Sequence, residues 1–328
     1  MSSDARDPVP TRAVVILAAG LGTRMRSSRP KVLHELAGRP LVDHVVDLAL
    51  QLAPPDLVVT VVGHGADQVV AAVAPRRVLT ALQEPQLGTG DALRVALARL
   101  GEGAPDEVLV LSGDVPLLRL ATLTALTGRL AGDTVAAILT ARLDRPSAYG
   151  RVIRGADGCV DAVVEARDAD PATLALPEVN AGVYAFRREP LRRALGRLGT
   201  DNAQGEYYLT DVVGLLRADG LRVAAQVLDD SAEMQGVNSR ADLAAVAGLL
   251  NQRLVAELMA SGVTVLDPAT TWVEPHCRVA ADVVLEAGVH LRGGCRVGAG
   301  ARVGAHSVLD GVEVAEGAVV PPLTHLRP

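Results

Sequence analysis

Residues 14–31 read VVILAAGLGTRMRSSRPK, and this stretch decides the fold class. Val14 to Leu17 form a short apolar run bounded by small residues, the pattern of a strand buried on both faces. Ala18, Ala19 and Gly20 leave little side-chain bulk where that strand ends. Gly20 and Gly22 permit a tight turn and a close approach of backbone to a ligand. A glycine turn after a first strand also exposes backbone N–H groups that suit phosphate oxygens. The spacing is neither the dinucleotide fingerprint nor a P-loop, because Thr23 and Arg24 follow the second glycine. Two cations, Arg24 and Lys31, flank the turn, which suits a triphosphate whose charge must be offset while a bond forms at phosphorus.

The chain has 32 Lys and Arg residues together, and Lys31 is its single lysine. A compact ammonium fits among phosphates where a planar guanidinium does not, although one surviving surface lysine would look the same in sequence. The string L-A-A-G-L-G-T-R-M-(x5)-K, residues 17–31, resembles the signature of nucleotide-sugar pyrophosphorylases. P-K-V-L-H, residues 30–34, narrows the resemblance to bacterial N-acetylglucosamine-1-phosphate uridylyltransferases, a bifunctional family usually carrying a second, acetyltransferase domain. The resemblance implies an α/β fold with a doubly wound, mostly parallel sheet of the nucleotide-diphospho-sugar transferase type. It places Leu17, Ala18, Ala19 and Gly20 against the nucleotide and makes Arg24 and Lys31 the catalytic cations.

Composition bounds the rest. A length of 328 residues suggests two domains with ample core, and aromatics are only 2%, so that core must be built from Leu, Val and Ala. The net charge of −6 argues against an electrostatic nucleic-acid binder, while leaving room for a local basic site. Residues 1–12 are polar and read as a disordered tail without a signal region. No uninterrupted apolar run is long enough for a membrane span. Cys159, Cys277 and Cys295 have no zinc spacing and make no even framework, so a reduced, cytoplasmic protein is the expectation.

Along the chain, apolar residues at Leu41, Val45, Leu48 and Leu52 have helical spacing that Pro54-Pro55 ends. Leu57 to Val62 reads as a second buried strand, and His64 beyond it as a structural loop residue. Residues 83–91, QEPQLGTGD, precede a helix from Ala92 to Leu100. Gln83 and Gln86 carry the donors and acceptors that reading a pyrimidine edge requires, though an ordinary polar loop has this composition too. The resemblance selects the base site and implies uracil contacts from Gln83 and Gly88, with Thr89 beside them.

Glu107 to Ser112 reads as a core strand ending in G-D-V-P. An Asp at the C-terminal end of a parallel strand lies where open α/β sheets bind ligands, and Asp114 can hold Mg²⁺ or simply close a turn. By resemblance Asp114 is the metal ligand, Asn238 is its uncharged partner and also touches the sugar, and Gly150, Glu165 and Asn180 bind the sugar. Taken singly, these last three read as a turn glycine, a surface carboxylate and a turn Asn. The run N-A-Q-G-E-Y-Y-L-T-D, residues 202–211, is expected to pack near the sugar site. Strands are expected over Thr134–Arg142 and Val223–Leu228. Ser239 to Ala260 reads as one helix, capped by Ser239 with Asp242 in its first turn, linking two domains.

The remainder carries a repeat. Val273, Val279, Leu285, Leu291, Val297, Val303 and Leu309 fall every six residues, with small residues four positions after most of them. This is the signature of a short left-handed parallel β-helix, in which each hexapeptide is one flat side and three make a coil. The repeat slips by one at Val314 and resumes at Val320. Cys277 and Cys295, one coil apart, should stack as two small core residues, or less readily as a metal or redox pair.

These readings divide the chain into a tail (1–12), a pyrophosphorylase domain (13–238), a linker helix (239–261) and a hexapeptide-repeat domain (262–328). The activity they imply is Mg²⁺-dependent transfer of UMP from UTP to N-acetylglucosamine 1-phosphate for cell-wall precursor synthesis, in a homotrimer formed through the β-helix. Neither nucleic acid nor membrane is an expected partner. Because the resembling family keeps its acetyltransferase residues in later coils, acetyltransferase activity is not expected here. The alternatives are a hexapeptide acyltransferase, another nucleotide-sugar pyrophosphorylase, or a non-catalytic nucleotide-sugar sensor. Three positions depart from the resembling family: Ser112 where many members have Tyr, Asp91 where many have His, and Ala181 where many have Thr. Ser112 and Ala181 bear on the sugar site rather than on the reaction.

Overall fold

The computed structural model describes residues 12–146 and 148–328. Most of the tail expected over residues 1–12 lies outside the described residues. Arg12 does not belong to it. Arg12 opens the first strand, where its guanidinium donates to Thr127 Oγ1 at 2.7 Å and pairs with Glu107 at 3.5 Å. Two carboxyl-terminal neighbours on other elements thus draw an apparent tail residue into the sheet.

The chain forms two compact units. The first comprises residues 12–34 and 40–238 and is built on a nine-stranded sheet. Its main path uses β1 (Arg12–Leu17), β2 (Val58–Val62), β3 (Leu79–Leu82), β4 (Glu107–Ser112), β5 (Thr134–Arg142), β6 (Glu178–Arg187) and β7 (Arg222–Val227). Their spatial order is β7-β5-β6-β4-β1-β2-β3, and every neighbouring pair is parallel except the two made by β6. A hairpin of Arg151–Arg154 and Val160–Val164 joins the sheet beside β6.

Both faces are covered, which is why the strands read as continuous apolar runs. In β1, Val14 and Ile16 enter one core with α1 (Leu41–Ala49), α2 (Ala66–Val73) and α4 (Leu120–Gly128). Val15 enters the other with α3 (Thr89–Leu100), α5 (Arg188–Leu195) and α6 (Asp211–Ala218). Alternation of successive side chains across the pleat makes one strand serve two cores. After β1 the chain builds β2 and β3 on one side and then returns to place β4 on the other. That reversal opens a crevice at the carboxyl ends of β1 and β4.

The second unit comprises residues 35–39 and 239–328. Its strands stack in three parallel ladders, one for each flat side of a β-helix. Arg278 faces Arg296, and His290 faces Val308, each one coil of 18 residues on. The slip at Val314 shortens the last pairing of every ladder to 17 residues: Arg296 faces Glu313, Arg302 faces Val319 and Val308 faces His325. Leu285, Leu291, Val297, Val303 and Leu309 fill the interior, with Cys277 and Cys295 stacked at an Sγ–Sγ distance of 3.4 Å. Each fully buried Leu or Val there contributes roughly 1.5–3 kcal/mol.

Helix α7 (Arg240–Ala260) belongs to this unit and begins with the capping box made by Ser239 and Asp242. By length and composition alone it could cross a membrane. Its packing is that of a docked helix instead: Val246, Leu250 and Val255 are buried, and Asn251 bonds to the β-helix backbone. Residues 35–39 also join this unit, where a contiguous boundary had placed them in the first domain. Gly38 turns in the left-handed region at φ 78°, with the Glu274 carboxylate packed where a Cβ would stand.

Candidate active site

The crevice at the ends of β1 and β4 holds a cavity of 320 Å³. Leu17, Ala18, Ala19, Gly20, Lys31, Gln83, Gly88, Thr89 and Asp114 all line it, together with Ser112. The nucleotide positions and the lysine expected from sequence therefore converge. The convergence is built by backbone. Ala18 N donates to the Val61 carbonyl at 3.0 Å and Gly113 N to the Leu17 carbonyl at 2.9 Å, so both loops leave the sheet side by side. Gly22 turns in the left-handed region at φ 62°, and a Cβ there would lie 2.6 Å from the Lys31 Cβ. Glycine is thus required twice, by conformation and by the approach of Lys31.

Lys31 starts a short 3₁₀ turn with Val32 and Leu33 buried behind it. Its ammonium bonds to the Asp114 carboxylate and donates to Asn238 Oδ1 at 3.0 Å. Asp114 and Asn238 are 124 residues apart in sequence, and a backbone bond from Val237 N to the Asp114 carbonyl at 2.9 Å joins their loops. One carboxylate oxygen and one amide oxygen are therefore aimed at a single cation. This donor set fits a hard divalent ion such as Mg²⁺, which takes few protein oxygens and completes its shell with water and phosphate. Among the described residues no group of three or more His, Cys, Asp or Glu side chains gathers into a fuller cage.

Arg24 stands apart from this convergence. It is exposed on the 3₁₀ turn Thr23–Met25 and does not line the cavity, because Met25 takes the inward position. Gln86, read from sequence alongside Gln83, also lines the cavity, and its Nε2 is tied to the Ala19 carbonyl at 2.9 Å. The Thr89 hydroxyl accepts from Leu209 N at 3.0 Å and so anchors the start of α3.

The sugar positions form a second, adjoining group. Asn180 N donates to the Gly150 carbonyl at 2.9 Å, and a Cβ on Gly150 would lie 3.5 Å from Glu165 Oε2. Asn180 is buried and holds a bulge in β6, accepting from Gly182 N at 2.9 Å and donating to the Tyr184 hydroxyl at 2.6 Å. The bulge brings Gly182 toward Ser112 of the first cavity. Burial raises the Glu165 carboxyl above the usual carboxylate range; the Thr210 hydroxyl bonded to it at 3.2 Å opposes this, while Asp211 and Asp168 add to it. Burial likewise drives the Tyr184 phenol up.

Sequence reading missed Glu206, which lines the cavity from the GEYY run. The signal was present in the glycine before it, but no local pattern says that Tyr207 N and O pair with Leu87 and Gly90, each at 2.8 Å, and bring the run to the base loop.

Comparison with known proteins follows this division of the chain. The model of the MobA-like NTP transferase domain matches residues 14–211, and that of the bacterial transferase hexapeptide repeats matches residues 276–311. The bifunctional protein GlmU of Kineococcus radiotolerans is 50% identical over 316 residues, covering 95% of this chain and 64% of the relative. Those of Streptomyces coelicolor and Thermobifida fusca are 46% and 47% identical, covering 96% and 94% of this chain and 70% and 65% of theirs. The chain thus spans roughly two thirds of the length of the curated relatives it matches. A solved CMP:2-keto-3-deoxy-manno-octonic acid synthetase, complexed with CTP, aligns with a TM-score of 0.57 at 21% identity, over 74% of this chain and 99% of that one; it shares the fold.

Proposed function

This chain belongs to the GlmU family of MobA-like NTP transferases, and from that premise we propose that it transfers UMP from UTP to N-acetylglucosamine 1-phosphate, releasing pyrophosphate. The observation that carries this reading is the Lys31 ammonium shared by Asp114 and Asn238 at the mouth of a cavity lined by Gln83 and Gly88. A phosphoryl-transfer site needs positioned positive charge and little covalent chemistry.

A phosphate oxygen of the sugar phosphate attacks the α-phosphorus of UTP in line. The new P–O bond forms as the bond to the β-phosphate bridging oxygen breaks, and pyrophosphate leaves with that electron pair. The attacking oxygen is already ionised, so no general base is required. Asp114 and Asn238 would hold Mg²⁺, whose charge stabilises the phosphates. Lys31, bonded to both Asp114 and Asn238, offsets charge that develops at the α-phosphorus. Arg24, exposed beyond the glycine turn, serves the outer part of the triphosphate. Leu17 to Gly20 offer a backbone wall to the nucleotide, with Gln83, Gly88 and Thr89 around the base. Gly150, Glu165 and Asn180 bind the sugar, and Ser112 of the first cavity lies next to Gly182 of the β6 bulge. A homotrimer formed through the β-helix, in the cytoplasm, completes the reading.

The test is pyrophosphate release from UTP with a panel of sugar 1-phosphates, in Mg²⁺ and in EDTA. Release with N-acetylglucosamine 1-phosphate that EDTA abolishes is the expected result. Faster release with glucose 1-phosphate would move the sugar assignment, and no release with any sugar would refute the reaction.

A further inference from the structure

Gln83 is buried, lines the cavity and has both hydrogens of its amide engaged. Its Nε2 donates to the Gly88 carbonyl and to Asp91 Oδ2, each at 2.9 Å. Those two neighbours are acceptors only. Turning the amide over would set its oxygen against a carbonyl and a carboxylate, leaving three acceptors with no proton among them. The side chain is therefore held with Oε1 as the group it can offer a ligand.

The holding frame is itself fixed. Gly88 adopts φ 108°, and a Cβ there would lie 2.7 Å from the Tyr207 carbonyl oxygen. Backbone bonds at 2.8 Å from Gly90 N to Tyr207 O and from Tyr207 N to Leu87 O lock the loop on both sides of that glycine. Asp91 follows in the first turn of α3, so its carboxylate rides on a helix rather than on a free loop.

We propose that Asp91 is a positioning residue that sets nucleobase choice: with the Gly88 carbonyl it presents Gln83 Oε1 to the base, and the site selects a pyrimidine bearing a proton on ring N3. Uracil carries that proton and satisfies the oxygen. Cytosine carries a lone pair at N3 and would face it acceptor to acceptor, a mismatch that a buried site rejects strongly. A histidine at position 91 could donate or accept, whereas a carboxylate only accepts and leaves a single orientation. The inference rests on the uridylyltransferase reading and adds the residue that enforces its base.

The experiment compares kcat/KM for UTP and CTP in the full chain, with N-acetylglucosamine 1-phosphate and Mg²⁺. In Asp91→Asn the carboxamide offers a donor that a turned-over Gln83 can use. Its UTP-to-CTP ratio is expected to fall about 10-fold or more, chiefly through the nucleotide KM. Asp91→Glu restores most of the ratio, and Asp91→Ala provides the same reading should the Asn variant fail to fold. Equal losses with both nucleotides, leaving the ratio unchanged, would overturn the inference while the reaction stands. A wild-type chain inactive with either nucleotide would overturn both.

Discussion

Lys31 is the residue on which the site's chemistry turns, because its ammonium meets both oxygens of the proposed metal pair. An arginine keeps the charge but spreads it over a planar fork in place of the compact ammonium that Asp114 and Asn238 share. Lys31→Arg is accordingly expected to lower kcat by roughly 100-fold or more, read as pyrophosphate release. Glu165 gives a pH signature. Burial raises its carboxyl in the folded state, so the folded protein holds a proton that the unfolded chain has already lost. Its contribution to stability therefore declines as pH rises from the unfolded carboxyl range through the folded value. Glu165→Gln should be more stable than wild type near pH 7 and equal to it below about pH 4, where both forms are neutral, as denaturant titrations at the two pH values would read. Much at this scale was legible: an only lysine, an Asp after a strand, and glycines around a turn are local spellings of phosphate chemistry. Asp91 as the partner of Gln83 was not, because a side-chain bond across a loop leaves no periodicity. Nor was the bulge duty of Asn180, which exists only because β6 must bend between two neighbours.

Among the elements, β1, β4 and the hexapeptide strands could be read directly, since burial on one or two faces writes a period into the sequence. The link between α7 and the β-helix could not. It depends on Asn251, which donates to the Thr271 carbonyl at 2.7 Å and accepts from Val273 N at 3.0 Å, all buried. Two backbone groups at the first coil rely on this one amide. Asn251→Leu is expected to cost the C-terminal unit about 2–4 kcal/mol and to speed amide exchange at Val273. Exchange is the suitable readout, because a chain of two units need not unfold in one transition. Exchange at Val273 as slow as in wild type would show that the helix docks by apolar contact alone.

At the scale of the whole molecule, the sequence-derived boundary at residue 239 is also where the second unit resumes, yet residues 35–39 cross it. Five residues are too few to carry a pattern, and what assigns them is contact with residues some 240 positions on, such as Gly38 with Glu274. The two units answer separate questions. The repeat unit supplies architecture, and the first unit carries the crevice where β1 and β4 end, the place at which strand order reverses. The central claim is that this crevice is a metal-assisted uridylyltransferase centre built on Lys31, Asp114 and Asn238. The measurement that tests it most directly is the Mg²⁺ dependence of pyrophosphate release from UTP and N-acetylglucosamine 1-phosphate, in wild type and in Asp114→Ala. The account predicts release that rises with Mg²⁺ in the wild type and is lower by roughly 100-fold or more at every Mg²⁺ concentration in a variant with unchanged circular dichroism. A variant that keeps the wild-type rate and metal dependence would contradict it.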